Sequence, residues 1–455
     1  MHLSIIVLAA GQGTRMRSDL PKVLHPLGGR PLLAHALDTA HRFEDAAIHV
    51  VIGHGAERVR RTFAQAEVHW VIQDRQLGTG HAVAQVLPDV PDNDTVLIMY
   101  GDVPLIRPAT LVRLVGIAGQ GDLALLTAER DDPAGYGRIL HDDGGNIRAI
   151  IEEKDATAEQ RRIREINSGF LAAPAGRLRA WVQALDNNNA QGEFYLTDVV
   201  AQAVREGVPV RGVTSGDAHE ILGVNDRAQL ATLERCFQQR QAQACLQAGV
   251  TLIDPARFDL RGQLTAGQDV VIDVNAILEG TIRLGNRVTV GPNVVMCNAT
   301  VGDDVTILAN CVIEDAAIGD GARIGPFARI RPETVLAAHS HVGNFVEIKK
   351  SQIGEGSKIN HLSYIGDTSV GRNVNIGAGT ITCNYDGAHK HRTVIGDDVF
   401  IGSDTQLVAP VEVGDGATIG AGSTITRDAP AGELTLSRAP QQTRPGWKRP
   451  VKIRG

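Results

Sequence analysis

The pattern Leu8-x-x-Gly11-x-Gly13-x-Arg15, followed by Pro21-Lys22, puts two glycines and two cations at the end of an apolar run. Glycines let backbone N–H groups approach phosphate oxygens closely, and Arg15 and Lys22 add fixed positive charge against a triphosphate. Met16 stands where a dinucleotide fingerprint has its third glycine, and no Walker Lys-Ser/Thr pair follows. Taken alone, the glycine pair suits a plain turn equally well. Tyr100-Gly101-Asp102 closes a second apolar run. Its carboxylate lies at a strand's carboxyl end, where Mg²⁺ bridging phosphates would take oxygen ligands; the bland alternative is a turn before Pro104. Far downstream, Asn360-His361-Leu362-Ser363-Tyr364 carries an imidazole whose ordinary pKa, about 6.5, suits it to take a proton from an attacking amine. The chain has 15 histidines, so a surface histidine is the competing reading. Glu347, Lys349, Tyr364 and Asn375 fall on nearby coils if positions about 18 residues apart stack.

The elements that must position these residues read in two styles. Residues 3–10, 48–52, 95–100 and 123–127 are strand-like, and 31–41 and 109–116 are helix-like. This alternation predicts a mostly parallel sheet covered by helices, with ligands at the carboxyl ends of its strands. Between Gly223 and Gly249 there is neither glycine nor proline, and Leu230, Leu233 and Phe237 recur at helical spacing. One long connecting helix is expected, starting near Asp226 and stopped by Gly249; a last helix packed wholly on the first domain is the alternative. The domains are read as 1–227, a linker helix 228–248, and 249–455 with a C-terminal tail.

Beyond the helix the period becomes six. Ile318, Ile324, Ile330, Leu336, Val342 and Ile348 are evenly spaced, as are Ile395, Ile401, Leu407, Val413, Ile419 and Ile425. A helix of period 3.6 cannot hold these on one face. Three hexapeptides make one triangular coil, with aliphatics in an inner column and glycines at tight corners, which is the pattern of a left-handed parallel β-helix. Spacings of five, from Ile313 to Ile318, Ile348 to Ile353 and Ile365 to Val370, read as shortened corners. Residues 383–392 leave the repeat and read as a loop on one face, where function tends to sit.

Composition narrows the classes. At 455 residues two or three domains are expected. A net charge of -7 without a long basic block argues against a nucleic-acid coat, and no apolar run approaches the ~18 residues that span a bilayer. Fifty glycines with only 9 Phe, 5 Tyr and 3 Trp mean many turns and aliphatic packing. Cys236, Cys245, Cys297, Cys311 and Cys383 form no CxxC pair and read as reduced. The first apolar run has no preceding Lys or Arg, so it reads as a strand and the protein as cytoplasmic.

The loop with Pro21-Lys22 resembles the sugar-nucleotide pyrophosphorylases. Both halves together resemble the bifunctional GlmU family, which joins N-acetylglucosamine-1-phosphate uridyltransferase to glucosamine-1-phosphate acetyltransferase. The likeness covers nearly the whole chain, most specifically at 8–16, 21–25, 76–81, 100–105, 135–139, 187–192, 343–350 and 373–387. It implies a Rossmann-like nucleotidyltransferase domain joined by the long helix to the β-helix. It also implies that Leu8, Ala9, Ala10, Gly11 and Lys22 hold UTP, with Tyr100 and Gly101 beside it, and that Gln73, Gly78 and Thr79 recognise uracil. Gly137, Glu152 and Asn167 would contact the sugar, Asp102 and Asn225 would hold Mg²⁺, and Arg15 would offset charge on the pyrophosphate.

In the solenoid the resemblance implies that Arg331, Lys349, Tyr364 and Asn375 hold the sugar phosphate. His361 would be the base, assisted by Glu347, and Ala378, Asn384, Tyr385, Ser403, Ala421 and Arg438 would line the acetyl-CoA site. Expected partners are glucosamine 1-phosphate, N-acetylglucosamine 1-phosphate, UTP and acetyl-CoA, without nucleic acid or membrane, in a homotrimer. The rival readings are a single-activity pyrophosphorylase whose β-helix only assembles subunits, and a non-catalytic binding or exchange-factor subunit.

Overall fold

The computed structural model describes residues 2–452. The chain divides into two compact units, Met1–Phe237 and Gln238–Gly455.

In the first unit the apolar runs form one sheet in the order Val210–Thr214, Leu123–Glu129, Glu165–Pro174, Thr95–Tyr100, Leu3–Ala9, Ala47–Ile52, His69–Ile72. Glu165–Pro174 is antiparallel to both its neighbours, and the other pairs along this order are parallel. A hairpin of Gly137–His141 and Ile147–Ile151 hangs off Glu165–Pro174. Leu3–Ala9 is buried along its whole length because both faces are covered, so it reads as an unbroken apolar run rather than an alternating one. Two neighbouring parallel strands, with Leu8 beside Tyr100, deliver the glycine loop and Asp102 to the same end of the sheet.

Glu165–Pro174 carries a register shift between Asn167 and Leu171, and Gly169 sits there at φ 92°. A Cβ on Gly169 would lie 2.6 Å from the Tyr100 ring. The bulge therefore lets Tyr100 pack over the strand, while Asn167, at its edge, stays paired with Thr127 and Gly137.

The expected helix is present as Arg227–Gln247. Asp226 accepts from the Gln229 N–H at 2.9 Å, a first-turn cap. Leu233 packs with Met16, Leu27, Leu32, Leu105 and Val224 in the first unit, while Ala242 and Cys245 belong to the core of the second.

The second unit is a parallel β-helix. Ile324, Val342, Ile359, Ile376, Ile401 and Ile419 are in register on successive coils, and all are buried. Glycines take left-handed corners as expected, at Gly321, Gly356, Gly379, Gly416 and Gly422, but they share that job and have a second one. Many left-handed corner positions belong to Asn and Asp, such as Asn275, Asn293, Asn310, Asp398 and Asp404, and even to Phe327, Phe345 and Leu362. Gly354, Gly377 and Gly402 instead lie outside the left-handed region, and a Cβ on each would strike the next coil. The distance is 2.2 Å to the Gly371 carbonyl oxygen from Gly354, and 2.5 Å to the Ser403 and Ala421 nitrogens from Gly377 and Gly402. Close backbone approach, more than positive φ, selects glycine here.

Asparagine ladders stitch one corner, with Asn275 donating to Asn293 at 3.0 Å and Asn293 to Asn310 at 3.1 Å. Above it the column continues as Phe327 and Phe345, stacked at 5.3 Å, and then Leu362, all exposed. No helix among the described residues is long and apolar enough to cross a membrane.

Gly354→Ala should cost roughly 2–3 kcal/mol, because its new methyl meets backbone that cannot rotate away. Gly432→Asn, at φ 69° with nothing within 4 Å, should stay within about 0.5 kcal/mol. Equal thermal midpoints for the two variants would contradict this reading.

Candidate functional site

At the carboxyl ends of the central strands, two cavities of about 450 Å³ and 350 Å³ share Thr79, Tyr100 and Asp102. The first is walled by Leu8, Ala9, Ala10 and Gly11, with Lys22, Gln73 and Gly78 around it. Gly13 at φ 63° starts the turn Thr14–Met16, and a Cβ there would meet the Lys22 Cβ at 2.7 Å. The loop and the Lys22 turn thus close against each other. Gln73 is buried, and its amide N–H₂ faces the Gly78 carbonyl at 3.1 Å and His81 Nδ1 at 3.0 Å. Gly78, at φ 108° against the Phe194 carbonyl, admits no side chain. Thr79 Oγ1 accepts from the Leu196 N–H at 3.1 Å. Gly101 lies underneath, its N–H donating to the Leu8 carbonyl at 2.9 Å.

The second cavity brings together Arg15, Gly137, Glu152, Asn167 and Asn225. Thr197 donates to Glu152 at 3.0 Å. Burial raises the Glu152 pKa, and the Thr197 hydroxyl partly offsets this. Burial, with Glu152 and Asp102 nearby, also raises the Tyr100 pKa, so the phenol stays neutral.

Where the cavities meet, the Lys22 ammonium pairs with Asp102 and lies 3.5 Å from Asn225 Oδ1. A cation therefore already sits between a carboxylate and an amide oxygen, the hard donors Mg²⁺ prefers, and these residues fit that ion. Among the described residues no group of three or more His, Cys, Asp or Glu is arranged to hold a metal. A site with one carboxylate suits an ion whose other ligands are waters and phosphates.

In the solenoid the register organises a second cluster. Asn344, His361, Ala378, Ser403 and Ala421 each lie two residues after a paired aliphatic, so they form one corner column. Arg438 donates to the Ala421 carbonyl at 2.7 Å and joins its end. His361 is exposed, and its Nδ1 meets Asn344 Oδ1 at 2.9 Å. With Nδ1–H donated to that oxygen, the lone pair is on Nε2.

On another face Glu347 is paired with Tyr364, and Arg331 and Lys349 follow registered isoleucines on adjacent coils. Arg331 donates to Glu347 at 2.7 Å, which raises the Arg331 pKa. Glu347 is thus held by Arg331, and the direct partner of His361 is Asn344. Asn375 lies on the sheet between Lys358 and Phe400.

The 383–392 insertion folds as a clamp. Tyr385 bridges to Lys390, and the exposed Tyr385 hydroxyl donates to the Gly387 carbonyl at 2.6 Å. Asn384 is buried, donating to Asp367 and lying 3.5 Å from the Tyr364 hydroxyl. Asp386 accepts from the Ala388 and His389 N–H groups and from His391, and these hold its carboxyl well below the usual range. Lys390 lies against Lys349, and that ammonium lowers the Lys390 pKa.

Asn344, His81 and Thr197 were not singled out by sequence reasoning. Only coil register could have found Asn344, 17 residues from its histidine; nothing local marks Thr197, 45 residues from Glu152.

Residues 5–249 match the family model of the MobA-like NTP transferase domain. Residues 392–427 match bacterial transferase hexapeptide (six repeats), and 260–344 and 318–409 match the GMPPB C-terminal domain. The chain is 58% identical over 448 residues to the bifunctional protein GlmU of Alkalilimnicola ehrlichii, covering 98% of this chain and 96% of that one. It is 57% identical to that of Methylococcus capsulatus, covering 100% and 99%, and 56% identical to that of Marinobacter nauticus, covering 99% of each.

The Asp386 clamp has a signed consequence. A carboxyl whose folded pKa is depressed contributes order above its unfolded pKa, and that order is lost as pH falls below about 4. Asp386→Ala should speed tryptic cleavage after the exposed Lys390 at pH 7, with the rest of the chain intact on a gel. Unchanged cleavage would show that the carboxylate does not order the loop.

Proposed function

The chain belongs to the bifunctional GlmU family, and on that premise we propose that it makes UDP-N-acetylglucosamine by acetyl transfer followed by uridyl transfer. It is an enzyme with an NTP-transferase unit and a hexapeptide-repeat acyltransferase unit. The observation that carries the first activity is the meeting of a nucleotide-sized and a sugar-sized cavity at Asp102, with Lys22 and Asn225 beside it. The His361–Asn344 column supports the second.

In acetyl transfer, Nε2 of His361 takes a proton from the amine of glucosamine 1-phosphate as the nitrogen attacks the thioester carbonyl of acetyl-CoA. The C–S bond breaks, and CoA leaves as its sulfur gains a proton. Arg331, Lys349, Tyr364 and Asn375 hold the sugar phosphate, with Lys390 close enough to share the anion. Glu347, oriented by Arg331, assists the His361 base. Ala378, Asn384, Tyr385, Ser403, Ala421 and Arg438 line the acetyl-CoA path, where small residues along the corner leave room for an extended cofactor.

In uridyl transfer, a phosphate oxygen of N-acetylglucosamine 1-phosphate attacks the α-phosphorus of UTP in line, and the bond to the leaving pyrophosphate breaks. Leu8, Ala9, Ala10 and Gly11 approach the nucleotide through backbone, beside Tyr100 and Gly101, while Gln73, Gly78 and Thr79 read uracil. Gly137, Glu152 and Asn167 orient the sugar. Lys22 and Arg15 offset the charge that grows on the pyrophosphate. Asp102 and Asn225 would hold Mg²⁺, which would screen the phosphate charges that Lys22 also faces.

We place the domain boundaries at 1–227, 228–248 and 249–455, and the protein in the cytoplasm, consistent with five free cysteines. A homotrimer is proposed on the exposed column of Phe327, Phe345 and Leu362, an apolar strip next to His361.

Three outcomes are expected. With glucosamine 1-phosphate, acetyl-CoA, UTP and Mg²⁺, free thiol and pyrophosphate should both appear. His361→Ala should slow thiol release by roughly 10² to 10⁴ fold and spare pyrophosphate release from supplied N-acetylglucosamine 1-phosphate, and Asp102→Ala should do the reverse. Thiol release at the parent rate by His361→Ala would remove the imidazole from the mechanism. Separately, Phe345→Asp should shift the sedimenting species from trimer to monomer; a parent that sediments as a monomer contradicts the assembly.

A further inference from the structure

Arg227 opens the long helix and lines neither of the two cavities, yet it reaches both segments that carry the nucleotide cations. Its Nε donates to the Met16 carbonyl at 3.3 Å, and its Nη1 donates to Nδ1 of His25 at 3.3 Å. Met16 directly follows Arg15 and ends the turn Thr14–Met16. His25 caps the turn Lys22–Leu24, its N–H donating to the Lys22 carbonyl at 3.2 Å. In front, these segments touch where Gly13 meets the Lys22 side chain; behind, the guanidinium spans them.

The surroundings make this a firm anchor. The Met16 side chain is buried against Leu27, Leu32, Leu105, Val224 and Leu233. His25 is buried too, and burial together with the Arg227 charge lowers its pKa, which keeps the ring a neutral acceptor. A guanidinium can serve two acceptors in fixed directions at once, which an ammonium on a flexible stem does not reproduce.

We propose that Arg227 is a positioning residue for uridyl transfer, setting the separation of Arg15 and Lys22 so that both cations meet the polyphosphate together. The inference rests on the reading of Arg15 and Lys22 given above. Small displacements of charge-stabilising groups are costly to rate, up to about 10² fold for 1 Å.

The test uses the full-length enzyme and follows thiol and pyrophosphate release separately. Arg227→Gln should lower the kcat of pyrophosphate release by roughly 10 to 100 fold, with KM for N-acetylglucosamine 1-phosphate and thiol release both within twofold of the parent. Arg227→Lys, which keeps the charge but not the fork, should remain impaired, and it serves as the second variant if the glutamine form folds poorly. Parent kcat in both variants overturns the proposal. So does equal loss of both activities with a lowered thermal midpoint, which would make Arg227 a structural anchor alone. A parent enzyme that releases no pyrophosphate from UTP overturns the functional reading itself, and this inference with it.

Discussion

Val342, Ile359, Ile376, Ile401 and Ile419 are paired coil to coil and buried, so the residue two places after each arrives at the same corner. This parallel register is what gathers Asn344, His361, Ala378, Ser403 and Ala421 from a stretch of nearly eighty residues. The pairing holds because each aliphatic packs against the ones above and below, and removing a single such side chain would cost about 2–5 kcal/mol. It also requires adjacent coils to approach so closely that Gly354, Gly377 and Gly402 admit no Cβ. The arrangement at the corner therefore depends on atoms that lie outside it.

The first unit uses the same constraint differently. Parallel pairing of Leu3–Ala9 with Thr95–Tyr100 ends both strands at one level, and the chain must turn there with its backbone N–H groups unpaired by the sheet. Gly11 and Gly13 keep those groups approachable, while Asp102 enters from the neighbouring strand end. Lys22 answers the Asp102 charge. The pairing follows because a partly desolvated carboxylate is costly to leave alone. The antiparallel strand Glu165–Pro174 completes the site by bulging, which a regular parallel strand would not do.

Much of this was legible in the amino-acid order. The six-residue aliphatic period admits few structures, and it finds the inner column directly because burial there is nearly complete. The glycine loop and the Tyr100-Gly101-Asp102 strand end are local, so their placement follows from strand polarity. The corner glycines were legible, with Gly356, Gly379 and Gly422 at positive φ, but local spacing does not report which others, such as Gly354, owe the missing Cβ to the next coil. Asn344, Thr197 and Arg227 were passed over for a related reason. Arg227 lies 211 residues from Met16 and 202 from His25, and ordinary Asn, Thr and Arg side chains carry no pattern until the fold brings them to their partners. The Glu347 and His361 pair shows the converse, since residues close in coil position need not be each other's hydrogen-bond partners.

The insertion shows how much irregularity the register tolerates. Neighbouring coils repeat after 17 or 18 residues, but contacts across the inserted coil span 25. Even so, Ile376 still pairs with Ile401 and Val370 with Ile395. The extra residues leave the wall after Cys383 and return before Thr393, and Asp386 ties them to one another. Because the loop satisfies its own polar groups, it adds little burden to the coils it interrupts. Because Asn384 is anchored on Asp367 beside Tyr364, and Lys390 lies against Lys349, it brings those two coils groups that straight coils could not furnish. A solenoid offers repeated, flat surfaces, so specificity for a particular small molecule has to come from such a break, placed where the uninterrupted coils on either side hold it in register.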